Sequence, residues 1–211
     1  TQIKNVPTVQ YSCQGGLSEV VLDPDFSSNN MIYLSYSARN SDGKSTLYLM
    51  SAVLNKDSLE NKKVIFEAKA PRRIPVHLGA KIAFLDDGTI LLASGDGFDH
   101  REKAQTLDNH FGKIIRINKD GTVPPDNPFV NVEDALPDIY SYGHRNQQGL
   151  IVTKTGEIYE HEHGPRGGDE MNLIEPSLNY GWPAITYGID YSGAVISLSL
   201  IHISEPTRPF H

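Results

Sequence analysis

The chain is poor in the features that would assign it quickly. A single cysteine, Cys13, excludes an intrachain disulfide and leaves the redox compartment open. As a small apolar side chain it is expected to be buried. No apolar run approaches the length of a membrane span. No lysine or arginine run stands out, and 26 acidic against 19 basic residues set a formal charge of -7. Nucleic acid and anionic membranes are therefore poor candidates as partners. A sustained 3.6-residue apolar period is also missing; Ser58 to Lys62 reads as a helical turn at most. The 211 residues open on Thr1 with neither an initiator methionine nor a signal peptide, and read as a mature or truncated product.

The far end has its own peculiarity. Leu198–Arg208, LSLIHISEPTR, is what translation of the end of a transposon-type sequencing-library adaptor produces. Residues 197–211 are accordingly expected to be a non-native tail, and residues 1–196 a fragment of one domain. The alternative is a genuine strand, because Val195 to Ile203 is apolar and β-branched. His202, Glu205, Arg208 and His211 carry no functional argument here.

What is present is strand after strand. Glu19–Leu22, Met31–Tyr36, Thr46–Met50 and Lys63–Phe66 are short β-type runs split by Asp, Asn, Gly and Ser. Lys81–Ser94 carries Asp87-Gly88 at its centre, a strong hairpin signal. Two further hairpins are expected, at Lys113–Asn118 with Asp120-Gly121 and at Leu150–Tyr159 around Thr155-Gly156. Phe84-x-x-Asp87-Gly88-x-Ile90 superimposes on Val152-x-x-Thr155-Gly156-x-Ile158, and Leu22 to Ile32 is a looser earlier copy. Repeats of a few antiparallel strands each point to an all-β partial propeller of about three four-stranded blades, with a sandwich as the alternative. Three such units cannot close a ring.

The chemistry-bearing residues cluster in two regions. His77 precedes the first Asp-Gly hairpin and Asp96 ends it, so folding the hairpin back would let the two meet. The carboxylate would then fix the imidazole tautomer and make the ring a general base. A surface histidine and an unrelated turn aspartate is the plain alternative. The segment 140–183 holds Arg145 and Asn146, then His161 and His163 alternating with glutamates, then Gly164-Pro165, Asp169 and Glu170. An arginine there suits charge developing on an oxygen, or else a salt bridge. Two histidines at strand spacing make a weak zinc signal. The oxygen donors of Gly164, Pro165, Asp169, Glu170, Tyr180 and Asp190 suit calcium, against an ordinary exposed acidic loop.

The ordered set of motifs carries a specific resemblance. It comprises Gln14-Gly-Gly-Leu17 with Asp23-Pro-Asp-Phe26, His77-x-Gly79, Gly95-Asp96, and Phe111-Gly-Lys-Ile-Ile-Arg116 with Pro125-Asp-Asn-Pro-Phe129. Tyr142-Gly-His-Arg-Asn146, His163-Gly-Pro165 with Gly168-Asp-Glu170, and Asn179-Tyr-Gly-Trp-Pro183 complete it. From Gln14 to about Asp190 the chain resembles the soluble quinoprotein glucose and aldose sugar dehydrogenases of the glucose/sorbosone dehydrogenase family. These are six-bladed propellers that use pyrroloquinoline quinone (PQQ) and calcium.

The resemblance implies roles for individual residues. His77 looks like the base for the sugar C1 hydroxyl, and Asp96 like the acid that orients it. Arg145 and Asn146 match residues that touch the quinone, and Gln14 matches another polar contact of the site. The carbonyls of Gly164 and Pro165 match those that hold the cofactor's calcium. Glu170, Tyr180 and Asp190 match a second, structural calcium site. An aldose would be the substrate, an external electron acceptor the partner, and the periplasm or the exterior the location.

The chain also departs from the pattern. Val76 stands where the glucose-oxidising branch has an acid, and Ala80-Lys81 replaces a commoner Gly-Arg or Ser-Arg. The family's distal lysine and arginines, from later blades, and the opening of its first blade have no counterpart in these residues. The 211-residue piece alone is therefore expected to be inactive and to fold poorly. A non-catalytic binding propeller and a calcium-dependent lactonase are the two rival functions.

Overall fold

The computed structural model describes residues 2–196. The tail expectation for 197–211, and the alternative strand reaching Ile203, lie outside the described residues. Eleven strands form three antiparallel sheets in chain order among the described residues. The first holds β1 (Leu17–Leu22), β2 (Met31–Arg39), β3 (Ser45–Asn55) and β4 (Ser58–Glu67). The second holds β5 (Gly79–Phe84), β6 (Ile90–Ser94), β7 (Lys113–Ile117) and β8 (Ile139–Tyr142). The third holds β9 (Gln147–Val152), β10 (Ile158–Glu162) and β11 (Glu170–Ile174), three strands where four are expected. Sheets of this kind are consistent with part of a propeller, and no closure into a ring is present among the described residues. The only helices among them are α1 (Phe26–Asn29) and a 3-10 turn at Arg101–Gln105; no helix is long and apolar enough to cross a membrane.

The middle sheet explains why its strands lack period-2 alternation. All five residues of β6 and of β7 are buried, because both faces of the sheet are covered. Ile90 and Leu92 of β6, with Ile115 and Ile117 of β7, pack against Tyr33, Leu47 and Leu49 of the first sheet. Leu91, Ala93 and Ile114 point the other way, onto Leu150, Ile158 and Ile174 of the third. Each such side chain contributes about 1.5–3 kcal/mol by leaving water. These two interfaces stack the sheets in sequence order.

The repeat seen in the sequence falls at one structural position. Leu22 pairs with Ile32, Phe84 with Ile90, and Val152 with Ile158, each the last pair before the turn joining a sheet's first two strands. Gly88 and Gly156 sit there at φ 81° and 91°, where a side chain would be strained.

Three expectations are corrected. Asp120-Gly121 does make a turn, with Asn118 N–H bonded to Thr122 O at 2.8 Å, but no strand follows it. Pro124 and Pro125 lack the N–H groups a ladder needs, so the chain loops until β8 pairs with β7. Ser58 to Lys62 begins β4 instead of a helical turn, since pairing with β3 places Leu59 in the cluster of Ile32, Leu34 and Met50. Cys13 is exposed, in a turn ahead of β1 closed by Gly15 N–H to Ser12 O.

One polar contact ties the first two sheets together. Asp23 is buried and accepts from the N–H of Asp25, Asn29 Nδ2, Tyr33 Oη and Lys119 Nζ. Burial works to raise its pKa, but the Asp25 N–H, Asn29 and Lys119 outweigh it and hold the carboxyl below the usual range. A lowered carboxylate pKa stabilises the fold above its unfolded value, and that stability is lost as pH falls through the folded value. Asp23→Ala is expected to cost about 1–3 kcal/mol by leaving these donors unpaired. It should lower the urea midpoint at pH 7 and flatten the acid limb of the stability profile. An unchanged acid limb would show that Asp23 carries no such linkage.

Candidate functional site

The second sheet and the start of the third converge on a buried group of polar side chains. Gly79 opens β5 and pairs with Ser94 at the end of β6, so His77 and Asp96 leave the same end of one hairpin. Gly95 keeps them close: a Cβ there would lie 2.3 Å from the carbonyl oxygen of His77. His77 Nδ1 and Asp96 Oδ1 are 2.8 Å apart, and both residues are buried. The backbone of His77 is strained, at φ 45°, and two contacts hold it. Its N–H donates to Gln14 Oε1 at 2.8 Å, and its carbonyl accepts from Arg72 Nη1 at 3.0 Å.

Both carboxylate oxygens of Asp96 are met by donors. Oδ1 also accepts from the Phe98 N–H at 2.8 Å, and Oδ2 accepts from Trp182 Nε1 at 2.8 Å. A carboxylate held this way accepts from Nδ1–H of His77 and leaves Nε2 with its lone pair. Among the described residues Nε2 has no hydrogen-bond partner, while the ring edge meets Phe98 at a centroid distance of 5.1 Å. That is the arrangement of a general base aimed away from its orienting acid.

Arg145 joins this pair to the third sheet. Its carbonyl accepts from the Asp96 N–H at 2.7 Å, and its Nη1 donates to the carbonyl of His163 at 2.8 Å. The guanidinium lies over the rings of Trp182 and Tyr191, at 5.2 and 5.9 Å from their centroids. Its Nε is buried and has no hydrogen-bond partner among the described residues. Asn146 is buried beside it, and its carbonyl accepts from the His163 N–H at 3.1 Å. A small pocket is lined by Arg145, Glu162, Gly164, Glu170, Trp182 and Thr186.

The predicted metal residues are only partly gathered. Gly164 is buried, with its N–H bonded to Asp169 Oδ1 at 2.9 Å, and Pro165 follows in the same tight turn. Glu170 starts β11, and burial together with Glu162 pushes its carboxyl up to about 7. Side-chain oxygens of the other two are engaged elsewhere. Tyr180 Oη donates to Leu173 O at 2.7 Å and accepts from the Glu175 N–H, and the Asp190 carboxylate pairs with Arg101 at 3.0 Å and binds Ser192.

Comparison with known proteins places the chain in a family. The family model for glucose / sorbosone dehydrogenase matches residues 1–210. The chain belongs to that family. It is 38% identical over 194 residues to a protein of Escherichia coli (strain K12) called aldose sugar dehydrogenase YliI, covering 90% of this chain and 52% of that protein. A crystal structure titled glucose dehydrogenase superposes with a TM-score of 0.93 at 42% identity, over 99% of this chain and 61% of that one. The PQQ-bound aldose sugar dehydrogenase of Streptomyces coelicolor superposes with a TM-score of 0.69 at 29% identity, over 90% and 55%. The chain spans about half the length of the curated relatives it matches.

Within this family member the sequence reading missed two groups. Trp182 received no role, although as the sole tryptophan, set in Asn179-Tyr-Gly-Trp-Pro183, it was conspicuous. It reaches across from beyond the third sheet to fix Asp96 and to back Arg145. The second group is His144 with Glu160 and Glu162. The alternation in Tyr159–His163 does place the two histidines on one face, but that face is exposed. The glutamates take the buried one, facing His144. Burial alone would lower the His144 pKa, but the two carboxylates outweigh it and raise it; burial and Glu160 raise that of Glu162.

Proposed function

We propose that the full-length protein carrying this chain oxidises the C1 hydroxyl of an aldose to the lactone with PQQ and calcium. On this reading the three sheets are about half of a six-bladed propeller. The supporting observation is one unbroken path of contacts, from His77 through Asp96 and Arg145 to His163 and the Gly164 turn. It gathers at one place a base, its orienting acid, a guanidinium and carbonyl donors.

The residues present fit the implied groups. The unpartnered buried Nε of Arg145, in a guanidinium set over Trp182 and Tyr191, suits a planar anionic ligand. Arg145 and Asn146 would hold the quinone, and the oxygens of Gly164 and Pro165 would hold calcium. When bound, PQQ accepts the hydride from C1, with calcium as its Lewis acid. His77 Nε2 takes the hydroxyl proton as the C1–O bond becomes C=O, so one hydride and one proton leave the sugar. Asp96 keeps the Nδ1 proton in place and stabilises the imidazolium that results. Arg145 steadies negative charge on the acceptor side, and Gln14 holds the His77 backbone. An external electron acceptor then completes the turnover, in the periplasm or outside the cell.

The test is a PQQ titration of the full-length protein with an aldose and an artificial dye acceptor, with calcium or with chelator. Dye reduction that needs both PQQ and calcium supports this reading. Lactone hydrolysis with calcium and no PQQ dependence would replace it with a lactonase. Saturable sugar binding without turnover would make it a binding propeller, although direct contact of His77 with Asp96 removes the main argument for that.

A further inference from the structure

The buried group behind Arg145 has a chemistry that the sugar oxidation does not use. His144 lies in the turn between β8 and β9, and Glu160 and Glu162 are alternate residues of β10. All three are buried, at 0, 2 and 4% exposure. One potential ligand atom from each lies within 4.8 Å of the other two. Nδ1 of His144 stands 3.5 Å from Glu160 Oε1 and 3.8 Å from Glu162 Oε1.

Those distances exceed a normal N–H···O hydrogen bond. Among the described residues Nδ1 of His144 and Oε2 of Glu160 have no hydrogen-bond partner. Ligands about 2.0–2.2 Å from one tetrahedral ion lie about 3.3–3.6 Å apart; the 3.5 Å from Nδ1 to Glu160 Oε1 falls in that range, and the 3.8 Å to Glu162 Oε1 lies just beyond it. Each of the three side chains is also held by a neighbour. His144 Nε2 pairs with Ser141 Oγ at 2.9 Å, Glu160 Oε1 accepts from Asn172 Nδ2 at 2.9 Å, and Glu162 Oε2 accepts from the Arg145 N–H. Partners of this kind orient the first ligands of a metal. Two carboxylates facing one imidazole in a dry pocket are a costly arrangement, and a divalent cation in contact with both carboxylates would neutralise it.

We propose that His144, Glu160 and Glu162 form a buried structural site for a first-row divalent cation of the zinc class. One nitrogen among the donors separates it from the oxygen-only calcium positions, since imidazole favours transition metals. The site ties the β8–β9 turn to β10, and thereby steadies the backbone that carries Arg145.

The test uses chelator-stripped full-length protein without PQQ, titrated calorimetrically with Zn²⁺ at pH 7 and in parallel with Ca²⁺. One Zn²⁺ should bind per chain, weakened about 100-fold or more in Glu160→Gln and unaltered in His161→Gln/His163→Gln. The latter removes exposed imidazoles that collect zinc adventitiously. Equal affinity in Glu160→Gln, loss in the double variant, or no stoichiometric binding would overturn the proposal. Should Glu160→Gln not fold, zinc X-ray absorption on the wild type decides. One imidazole and carboxylate oxygens support the site, and two imidazoles or an all-oxygen shell sink it. Every readout is independent of sugar oxidation, so its failure and that of the enzymatic reading are separable.

Discussion

His77→Ala in the full-length protein is expected to lower cofactor-dependent dye reduction by roughly 10²–10⁴, the range a positioned general base contributes. The loss should fall on kcat, because the side chain acts on the hydroxyl proton as it leaves and adds little to ground-state sugar binding. His77 meets the geometric conditions for this. Its Nδ1 is held 2.8 Å from Asp96 Oδ1, its backbone is fixed by Gln14 and Arg72, and Nε2 has no hydrogen-bond partner among the described residues. Deleting the ring leaves Asp96 bound to Phe98 and Trp182, so the variant should keep its fold. Retained circular dichroism with lost turnover is the diagnostic pair. A His77→Ala protein with near-wild-type kcat would remove the base from this residue. Stopped-flow reduction of bound cofactor by sugar is the cleanest measurement, since it isolates the step from acceptor chemistry.

The path to this residue shows what a sequence carries and where it stops. Hairpin chemistry is local, so Asp87-Gly88 and Thr155-Gly156 could be located from their residues, and with them the equivalent ends at His77 and Asp96. The same local signal at Asp120-Gly121 made a turn without a hairpin, because strand pairing depends on the N–H groups that follow. β8 and β11 were missed for the converse reason: Ile139-Tyr-Ser-Tyr142 and Glu170-Met-Asn-Leu-Ile174 are strands through pairing with β7 and β10, with little alternation of their own. Burial of charge is also non-local. Glu160 and Glu162 look like solvent-facing residues of a strand until the turn bearing His144 is folded onto them.

Asp96→Asn is expected to lower kcat by roughly 10²–10⁴ as well, by a different physical route. Both carboxylate oxygens face donors: Oδ1 faces His77 Nδ1 and Phe98 N–H, and Oδ2 faces Trp182 Nε1. Asparagine must turn its NH₂ toward one of these sides. Turned to Trp182, it sets two donors 2.8 Å apart with both side chains buried, an unpaired arrangement costing about 1–3 kcal/mol. Turned to His77, it removes the acceptor for Nδ1–H, and the ring changes tautomer and presents N–H where the base is needed. Either orientation also deletes the charge that stabilises the imidazolium. Trp182→Phe discriminates between them, because it removes the indole N–H and keeps an aromatic ring beneath Arg145. On the Asp96→Asn background it should let the amide carbonyl stay on His77 and recover about 1–2 kcal/mol of the lost activation free energy. Trp182→Phe alone should lower kcat, so that the two effects have opposite signs. Strictly additive losses in the double variant would show that Trp182 does not set the orientation of Asp96. An Asp96→Asn enzyme of normal kcat would show that His77 needs no orienting acid at all.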